Sequence, residues 1–369
     1  MKLQNARVFQ PDGSFTVRDL CFEGERLTQN ASDEGLDCSN LIAIPGLVDI
    51  HFHGCVGHDF CDGTQQAISA IAAYEASVGV AAICPATMTY PEDKLNTIAD
   101  AAVAYHTEPK GAALVGINME GPFISPGKIG AQNPLYLHKP DAEMFHRLQK
   151  RANGLFKLVD LAPDVDGALD CIRNISNDVR VSIAHTAADY DTACAAFEAG
   201  ARHVTHLYNA MPPYSHRAPG VVGAAFDHAE TVELIADGVH IHPSVVRATF
   251  QMFGTNRVCL ISDSMMATGL SDGEYSLGGQ AVTVRGNLAT LENGTIAGSA
   301  TCLLDCVRTA VSQMGIPLWD AVCAASRNPA RAIGIDADYG DLEPGKLANI
   351  ILLDESLQVK RIILRGQTL

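Results

Sequence analysis

Two histidines separated by one residue, His51 and His53, follow an apolar run at residues 45–50 and are well suited to bind a metal ion. In an extended strand alternate residues point to the same face, so both imidazoles can converge on one point. A neutral imidazole nitrogen is the commonest side-chain metal ligand. Two histidines in a surface loop would give the same pattern, so the pair alone does not decide between a metal site and a loop.

Four further polar residues stand where an apolar, strand-like run ends, namely Glu120, His185, His206 and Asp263. Each has a structural alternative, because Glu120 precedes Gly-Pro and could occupy a turn, the histidines could be hydrogen-bonded in the core, and Asp263 could cap a helix. In a parallel barrel, however, the carboxyl ends of all strands face one mouth. Imidazoles with one or two carboxylates suit a divalent transition metal such as zinc or iron.

Strand-like and helix-like runs alternate through the middle of the sequence, which implies a parallel sheet. The predicted strands are residues 41–53, 80–88, 113–119, 157–161, 180–184, 203–207, 232–236 and 257–262. The predicted helices are residues 65–77, 93–105, 167–175, 188–199, 243–253 and 303–314. About eight such units favour an α/β fold of the closed (β/α)8, TIM-like barrel type, with an open doubly wound sheet as the alternative.

The two ends of the chain have a different pattern. Residues 1–45 and 340–369 contain short alternating runs broken by turns, which predict small antiparallel strands. Chain termini often lie close together, so we expect both ends to form one small β-sandwich domain. Residues 46–339 would then form the barrel domain.

Composition limits the partners and the compartment. The 369 residues carry a formal net charge of −16, so the chain as a whole does not attract nucleic acid or anionic lipid. The 11 cysteines include no C-x-x-C pair and predict a reduced, cytoplasmic protein. We expect neither a signal peptide nor a membrane span, because the N-terminal residues lack an apolar region and every long apolar run contains polar residues.

Several segments resemble the N-acetylglucosamine-6-phosphate deacetylase family of the amidohydrolase superfamily. They are residues 45–54, 119–123, 184–186, 205–211, 237–240, 261–263 and 294–299. The run Thr-His-Leu-Tyr-Asn-Ala-Met at 205–211 is the most specific, whereas 328–330 and 340–349 are general amidohydrolase features. The resemblance runs nearly end to end. It implies a metal-dependent deacetylase of N-acetylglucosamine 6-phosphate in amino-sugar catabolism, acting on a small phosphosugar as a homodimer.

The resemblance also implies a metal centre. Glu120, His185 and His206 would hold one ion, and Asp263 would be the catalytic acid and base. His51 and His53 make a second ion possible, with Asp263 in the same ligand set. In the wider superfamily a carboxylated lysine often bridges two ions, and here Glu120 could bridge them directly.

Substrate contacts are implied in the same way. The residues are Ala131, Gln132, Asn209, Ala210, Arg217, His240, Ala297, Gly298 and Ser299. Arg217 and His240 would bind the phosphate, and a guanidinium suits phosphate oxygens geometrically. Gln132 stands where other members have a histidine that touches the substrate. Glutamine can donate a hydrogen bond but cannot carry a protonic charge, which is consistent with a site with two ions.

Three alternatives stay open at this point. The same chemistry on the galactosamine epimer is the nearest, because no residue distinguishes one ring hydroxyl. A cyclic-amide hydrolase of the same superfamily would have no phosphate for Arg217 and His240. A non-catalytic protein that retains the fold would usually have lost a ligand or Asp263, and here all are present.

Overall fold

The computed structural model describes residues 1–30, 35–106, 108 and 110–369. In chain order its strands are β1 (Lys2–Phe9), β2 (Phe15–Glu23), β3 (Arg26–Thr28), β4 (Gly35–Asp37), β5 (Ile42–Pro45), β6 (Leu47–Asp49), β7 (Gly54–Cys55), β8 (His58–Asp59), β9 (Val80–Ile83), β10 (Ala113–Leu114), β11 (Ile117–Glu120), β12 (Phe156–Leu161), β13 (Arg180–Ile183), β14 (His203–Val204), β15 (Thr231–Ile235), β16 (Val258–Ile261), β17 (Gly273–Leu277), β18 (Gln280–Arg285), β19 (Leu288–Thr290), β20 (Ile296–Ser299), β21 (Ile350–Leu353), β22 (Val359–Leu364) and β23 (Gln367–Thr368).

The α-helices are α1 (Gln65–Ser77), α2 (Glu92–Ala104), α3 (Ala142–Arg151), α4 (Ala168–Ile175), α5 (Tyr190–Ala199), α6 (Gly220–His228), α7 (Pro243–Phe253), α8 (Leu303–Ser312), α9 (Leu318–Ala325) and α10 (Arg327–Ala332). Single 3-10 turns occupy Phe60–Asp62, Pro126–Lys128, Pro134–Tyr136 and Thr255–Arg257. In the part of the chain described here, no helix combines the length and the apolar character needed to cross a bilayer.

A curled parallel sheet lies at the centre of the fold. Strands β11 to β16 pair in sequence order, and β6 pairs with β9, which also pairs with β10. A bridge between Ala86 and Asn118 links the two groups. Past the ends of β6 and β16 the two edges meet, because the Asp263 N–H donates to the His51 carbonyl at 3.0 Å. The predicted parallel sheet with intervening helices is therefore confirmed.

Strands from both ends of the chain share a second sheet. Its order is β23-β22-β21-β5-β1-β2-β3, and β4 pairs with β1. Leu3, Val8, Leu20, Ile350 and Leu352 belong to the separate buried cluster of this sheet. Strands of the two termini thus share one sheet, whereas a separate small domain with two facing sandwich layers stays a prediction.

The predicted continuous strand at residues 41–53 is wrong. The chain divides at Gly46 into β5 and β6, which lie in different sheets. A Cβ at Gly46 would lie 2.6 Å from the Cβ of Ala81, so only glycine fits where the chain leaves one sheet for the other. Both strands are fully buried, and two buried apolar runs in succession give the pattern of one long strand.

Several elements were not predicted from the sequence. Helices α3, α6, α9 and α10 were missed, and so was the antiparallel sheet β17-β18-β19-β20 that follows the last strand of the parallel sheet. The sequence does contain a start signal for helix α3, an aspartate at its N-cap position. The Asp141 carboxylate accepts the Met144 N–H at 3.0 Å and caps the first turn. The β17–β20 sheet brings its last strand next to Asp263, since Ser264 and Ser299 form a bridge.

Candidate metal centre and cavity

Glu120, the last residue of β11, lies at the meeting point of the predicted ligands. Its Oε1 is 3.1 Å from Nε2 of His185 and 3.2 Å from Nε2 of His206. The same oxygen is 3.6 Å from Nε2 of His51. All four side chains are buried. Residues that are far apart in the sequence therefore converge at the carboxyl ends of the parallel strands, as predicted.

The other carboxylate oxygen of Glu120 faces a second group. Its Oε2 is 3.5 Å from Nε2 of His53, and that nitrogen is 3.4 Å from Oδ1 of Asp263. Two sets of three side chains each keep their ligand atoms within 4.8 Å of one another. The first set is His51, Glu120 and His206, and the second is His51, His53 and Asp263. Glu120 thus stands between two overlapping donor groups.

The chemistry of this donor set fits a bound cation. Nε2 of His51 is buried and has no hydrogen-bond partner among the described residues. Nε2 of His185 and Nε2 of His206 are only 3.1 Å apart. Lone pairs of neutral imidazoles that face one another are stabilised by a shared cation, and imidazole with carboxylate is a donor set of zinc and iron.

Three of the candidate ligands have an unusual backbone conformation. The φ angles of His185, His206 and Asp263 are +42°, +27° and +49°, in the left-handed region that non-glycine residues seldom adopt. Each of these residues follows shortly after a parallel strand. Such conformations cost free energy and concentrate at functional sites, which supports a functional reading of these positions.

The two carboxyl groups of the centre are held in the ionised form. Burial by itself would raise the pKa of Glu120, but hydrogen bonds with His185 and His206 hold that pKa well below its usual range. Burial also opposes ionisation of Asp263, yet the hydrogen bond with His53 lowers its pKa overall. Both groups can therefore act as anionic ligands, and Asp263 can accept a proton.

The sequence reasoning missed Glu233, a fully buried residue of β15. Its Oε2 accepts hydrogen bonds from Nδ1 of His51 at 2.9 Å and from the backbone N–H of His206 at 3.1 Å. Its Oε1 is 3.1 Å from Nε2 of His203. The available signal was one acidic residue inside an otherwise apolar strand, where an unpaired charge would be costly.

A cavity of about 350 Å³ opens onto these ligands. Of the predicted residues, it is lined by His53, Glu120, Ala131, Gln132, His185, His206, Asn209, Ala210, His240, Asp263 and Gly298. Met88, Gly130, Leu277 and Thr295 also line it and were not among the predicted site residues. Ile296 lines it too, next to the predicted segment Ala297, Gly298 and Ser299. Its size is in the range of small-molecule sites, which supports a small ligand next to the metal centre.

Three predicted substrate residues do not line this cavity. Ala297 and Ser299 are buried, and the Ser299 hydroxyl donates to the carbonyl of Ser262 at 2.6 Å. The Ser299 N–H donates to the Asp263 carbonyl at 2.7 Å, so this serine braces the turn that carries Asp263. Arg217 is exposed on its loop. The structure therefore does not test the substrate contacts expected of these three residues.

His240, at the wall of the cavity, is paired with a carboxylate. Its Nδ1 is 2.7 Å from Oδ2 of Asp237, whose Oδ1 accepts the backbone N–H groups of Val239 and His240 at 2.9 Å. Burial would lower the pKa of His240, but Asp237 outweighs burial and raises it. A protonated imidazole at this wall would attract an anionic group of a ligand.

Comparison with known proteins agrees with the resemblance seen in the sequence. Residues 42–369 match the profile described as "Amidohydrolase family". N-acetylglucosamine-6-phosphate deacetylase of Bacillus subtilis (strain 168) is 36% identical over 93% of this chain and 88% of its own length. N-acetylgalactosamine-6-phosphate deacetylase of Escherichia coli O157:H7 is 36% identical over 88% of this chain and 86% of its own length.

A solved structure extends the likeness to the whole fold. N-acetyl-D-glucosamine-6-phosphate deacetylase of Mycobacterium smegmatis, a D267A mutant in complex with N-acetyl-D-glucosamine-6-phosphate, superposes with a TM-score of 0.92. It is 31% identical, and the match covers 100% of this chain and 98% of that one.

Proposed function

Because the chain belongs to the amidohydrolase family, we propose that it hydrolyses N-acetylglucosamine 6-phosphate to glucosamine 6-phosphate and acetate, a step of amino-sugar catabolism. One observation carries this function. Glu120, His185 and His206 converge within 3.2 Å of one another in the wall of a cavity that Asp263 also lines. The similarity to deacetylases of this substrate covers nearly the whole chain.

The metal centre takes one or two divalent ions, zinc or iron. Glu120, His185 and His206 would hold the first, and His51, His53 and Asp263 would complete a site for the second, next to Glu120. A divalent cation bound there would lower the pKa of its water to about 7 and would polarise the acetyl carbonyl.

Asp263 performs the proton transfers. Because its pKa is lowered, it is ionised before the reaction and accepts a proton from the attacking water. It returns that proton to the sugar nitrogen as the carbon–nitrogen bond breaks, which gives acetic acid and the amine. The acid proton then passes to the amine, so that acetate and an ammonium group leave. The turn braced by Ser299 holds the carboxylate in place.

The remaining cavity residues bind the sugar phosphate. His240 and Arg217 hold the phosphate, together with Asn209 and the backbone amide of Ala210. Ala131, Gln132 and the segment Ala297, Gly298 and Ser299 enclose the sugar. We place the exposed Arg217 at the subunit interface of a homodimer, near the phosphate. Exposed apolar side chains in this loop and in the loop that follows Gln132 support such an interface, with 51% of Tyr214 and 82% of Leu135 exposed.

The proposal includes the architecture and the compartment. The curled sheet with its helices is a closed TIM-like (β/α)8 barrel of residues 46–339, and residues 1–45 with 340–369 fold as a small β-sandwich beside it. The enzyme works in the cytoplasm. The eleven cysteines, all within the described residues, are free thiols, which supports a reducing compartment.

The galactosamine epimer is the second candidate substrate, because the Escherichia coli relative that bears that name is 36% identical, like the Bacillus subtilis one. Acetate release from both phosphosugars, with elemental analysis of the same preparation, tests the function. We expect faster release from N-acetylglucosamine 6-phosphate, loss of activity with a chelator, and recovery with zinc or iron. A metal-loaded protein that releases no acetate from either sugar would exclude deacetylation.

A further inference from the structure

Glu233 is a buried carboxylate whose neighbours are all hydrogen-bond donors rather than cationic side chains. Among the described residues its ion-pair contacts are with two histidines, and none is with lysine or arginine. Burying a carboxylate is costly unless its oxygens are satisfied, and here each oxygen accepts at least one N–H. Because burying this carboxylate is unfavourable, its position next to the candidate ligand His51 suggests a role in function.

The contact with His51 determines which nitrogen of that ring is free. Oε2 of Glu233 lies 2.9 Å from Nδ1 of His51, and a carboxylate can only accept, so Nδ1 carries the hydrogen. The lone pair is then left on Nε2, the atom that faces Glu120 and Asp263. Such a contact fixes both the tautomer and the plane of a ligating imidazole.

Glu233 is itself held from the opposite side. Nε2 of His203 lies 3.1 Å from Oε1 of Glu233, and Nδ1 of His203 lies 2.6 Å from the hydroxyl of Thr231. Burial lowers the pKa of His203, so its ring is neutral, with its hydrogen on Nε2 and the Thr231 hydroxyl donating to Nδ1. The chain Thr231–His203–Glu233–His51 is thus a continuous set of buried hydrogen bonds.

We propose that Glu233 is a positioning residue that orients His51 in the metal subsite formed by His51 and His53. His203 in turn orients the carboxylate of Glu233. This inference rests on the proposed function, because it requires a metal centre with two ions. Glu233 would thus be needed for binding of the second ion although it contacts neither an ion nor the substrate.

The test measures metal binding in three variants. Metal per chain is determined by elemental analysis after dialysis, and affinity by competition with a chelator. Wild type should bind two ions, and Glu233→Ala should lose one, with roughly 10–100-fold weaker binding of that ion. Glu233→Gln, nearly the same shape, should lie between the two, because its amide oxygen can still accept from His51. In a His51→Ala background, Glu233→Ala should weaken binding no further.

A matched control is Asp160→Asn, which changes another fully buried carboxyl of the parallel sheet. Asp160 accepts from the Thr205 hydroxyl at 2.7 Å and forms no hydrogen bond with a candidate ligand, so its variant should keep both ions. Unchanged metal affinity in folded Glu233→Gln and Glu233→Ala overturns the inference. So does an equal loss in the His51→Ala background, or a wild type that binds one ion. Failure of the proposed function is separate, because it would appear as absent acetate release in the wild type.

Discussion

The side-chain amide of Gln132 donates to Oε2 of Glu120 at 2.6 Å, while its oxygen accepts the backbone N–H of Thr89 at 2.6 Å. Both ends of the amide are therefore engaged with the protein. From the sequence, Gln132 was expected to touch the substrate, at the position of a histidine in other members. The geometry adds a further task, because the amide fixes the orientation of the carboxylate that stands between the two donor groups.

Replacing Gln132 by alanine should therefore weaken the metal centre. The variant leaves one oxygen of Glu120 without its donor, and loss of such a partner typically costs 10–100-fold in metal affinity or activity. We expect kcat to fall with the metal affinity, and KM to rise as well because Gln132 also lines the sugar cavity. Steady-state kinetics and chelator competition measure the two effects. Gln149→Ala on α3, which removes hydrogen bonds to Phe156 only, is the control. A large rise in KM at unchanged metal affinity would assign Gln132 to substrate binding alone.

Asp263→Asn should abolish acetate release while the ion held by Glu120, His185 and His206 stays bound. An amide has almost the shape of the carboxylate but cannot take the proton of the attacking water, and a missing acid–base group typically costs about 10²–10⁴-fold in rate. Elemental analysis and an acetate assay on the same sample separate the two effects. Activity close to that of the wild type would remove Asp263 from the mechanism.

Arg217→Ala should raise KM for the phosphorylated sugar by roughly tenfold or more, which is the value of one charge-assisted hydrogen bond. The unphosphorylated sugar should be affected far less, since it offers no partner for the guanidinium. Because Arg217 does not line the cavity of a single chain, the oligomeric state of the variant should be measured by light scattering. Arg173→Ala, which breaks the exposed pair with Asp170, is the control. Equal effects on both sugars would show that Arg217 does not recognise phosphate.

His240 should make phosphosugar binding depend on pH. Asp237 raises the pKa of His240 above the usual value of 6.5, so the ring stays charged to a higher pH than a free histidine. The attraction between the charged ring and the phosphate is complete below about pH 6.5. It is lost as the pH rises through the pKa of His240 in the folded protein. We expect KM for the phosphorylated substrate to increase over that window, and Asp237→Asn to move the increase to lower pH. A KM profile that Asp237→Asn leaves in place would contradict this role.

The predictable part of the site follows from one regularity. Glu120, His185 and Asp263 stand at or just after the end of an apolar run, and in a parallel sheet those ends meet at one edge. Glu233 could not be found in that way, because it lies within β15, where all five residues are buried and no alternation marks the inner face. Its partnership with His51 depends on the curvature of the sheet, which brings the edge at β16 next to β6 and so places β15 two strands from β6.

The fold was predictable to a similar extent and for similar reasons. Helix α1 has the predicted bounds, because its buried residues recur with helical periodicity. The sheet β17–β20 was missed because its strands are short and partly exposed, so no apolar run marks them. Arg217 was assigned by resemblance, and it lies in an exposed loop that does not line the cavity.

Gly54, which follows His53, should not tolerate a side chain. A Cβ at this position would lie 2.1 Å from the carbonyl oxygen of His58 and 3.0 Å from Cα of Asp59, because β7 and β8 form a tight pair there. Gly54→Ala must displace this backbone, which typically costs about 1–3 kcal/mol, and the displacement includes the neighbouring His53. We expect a lower Tm by scanning calorimetry and weaker binding of one metal ion. Gly273→Ala is the control, since its Cβ would make an ordinary contact at 3.4 Å with Tyr275. Equal Tm values and equal metal affinities in the two variants would show that the β7–β8 pair yields without moving His53.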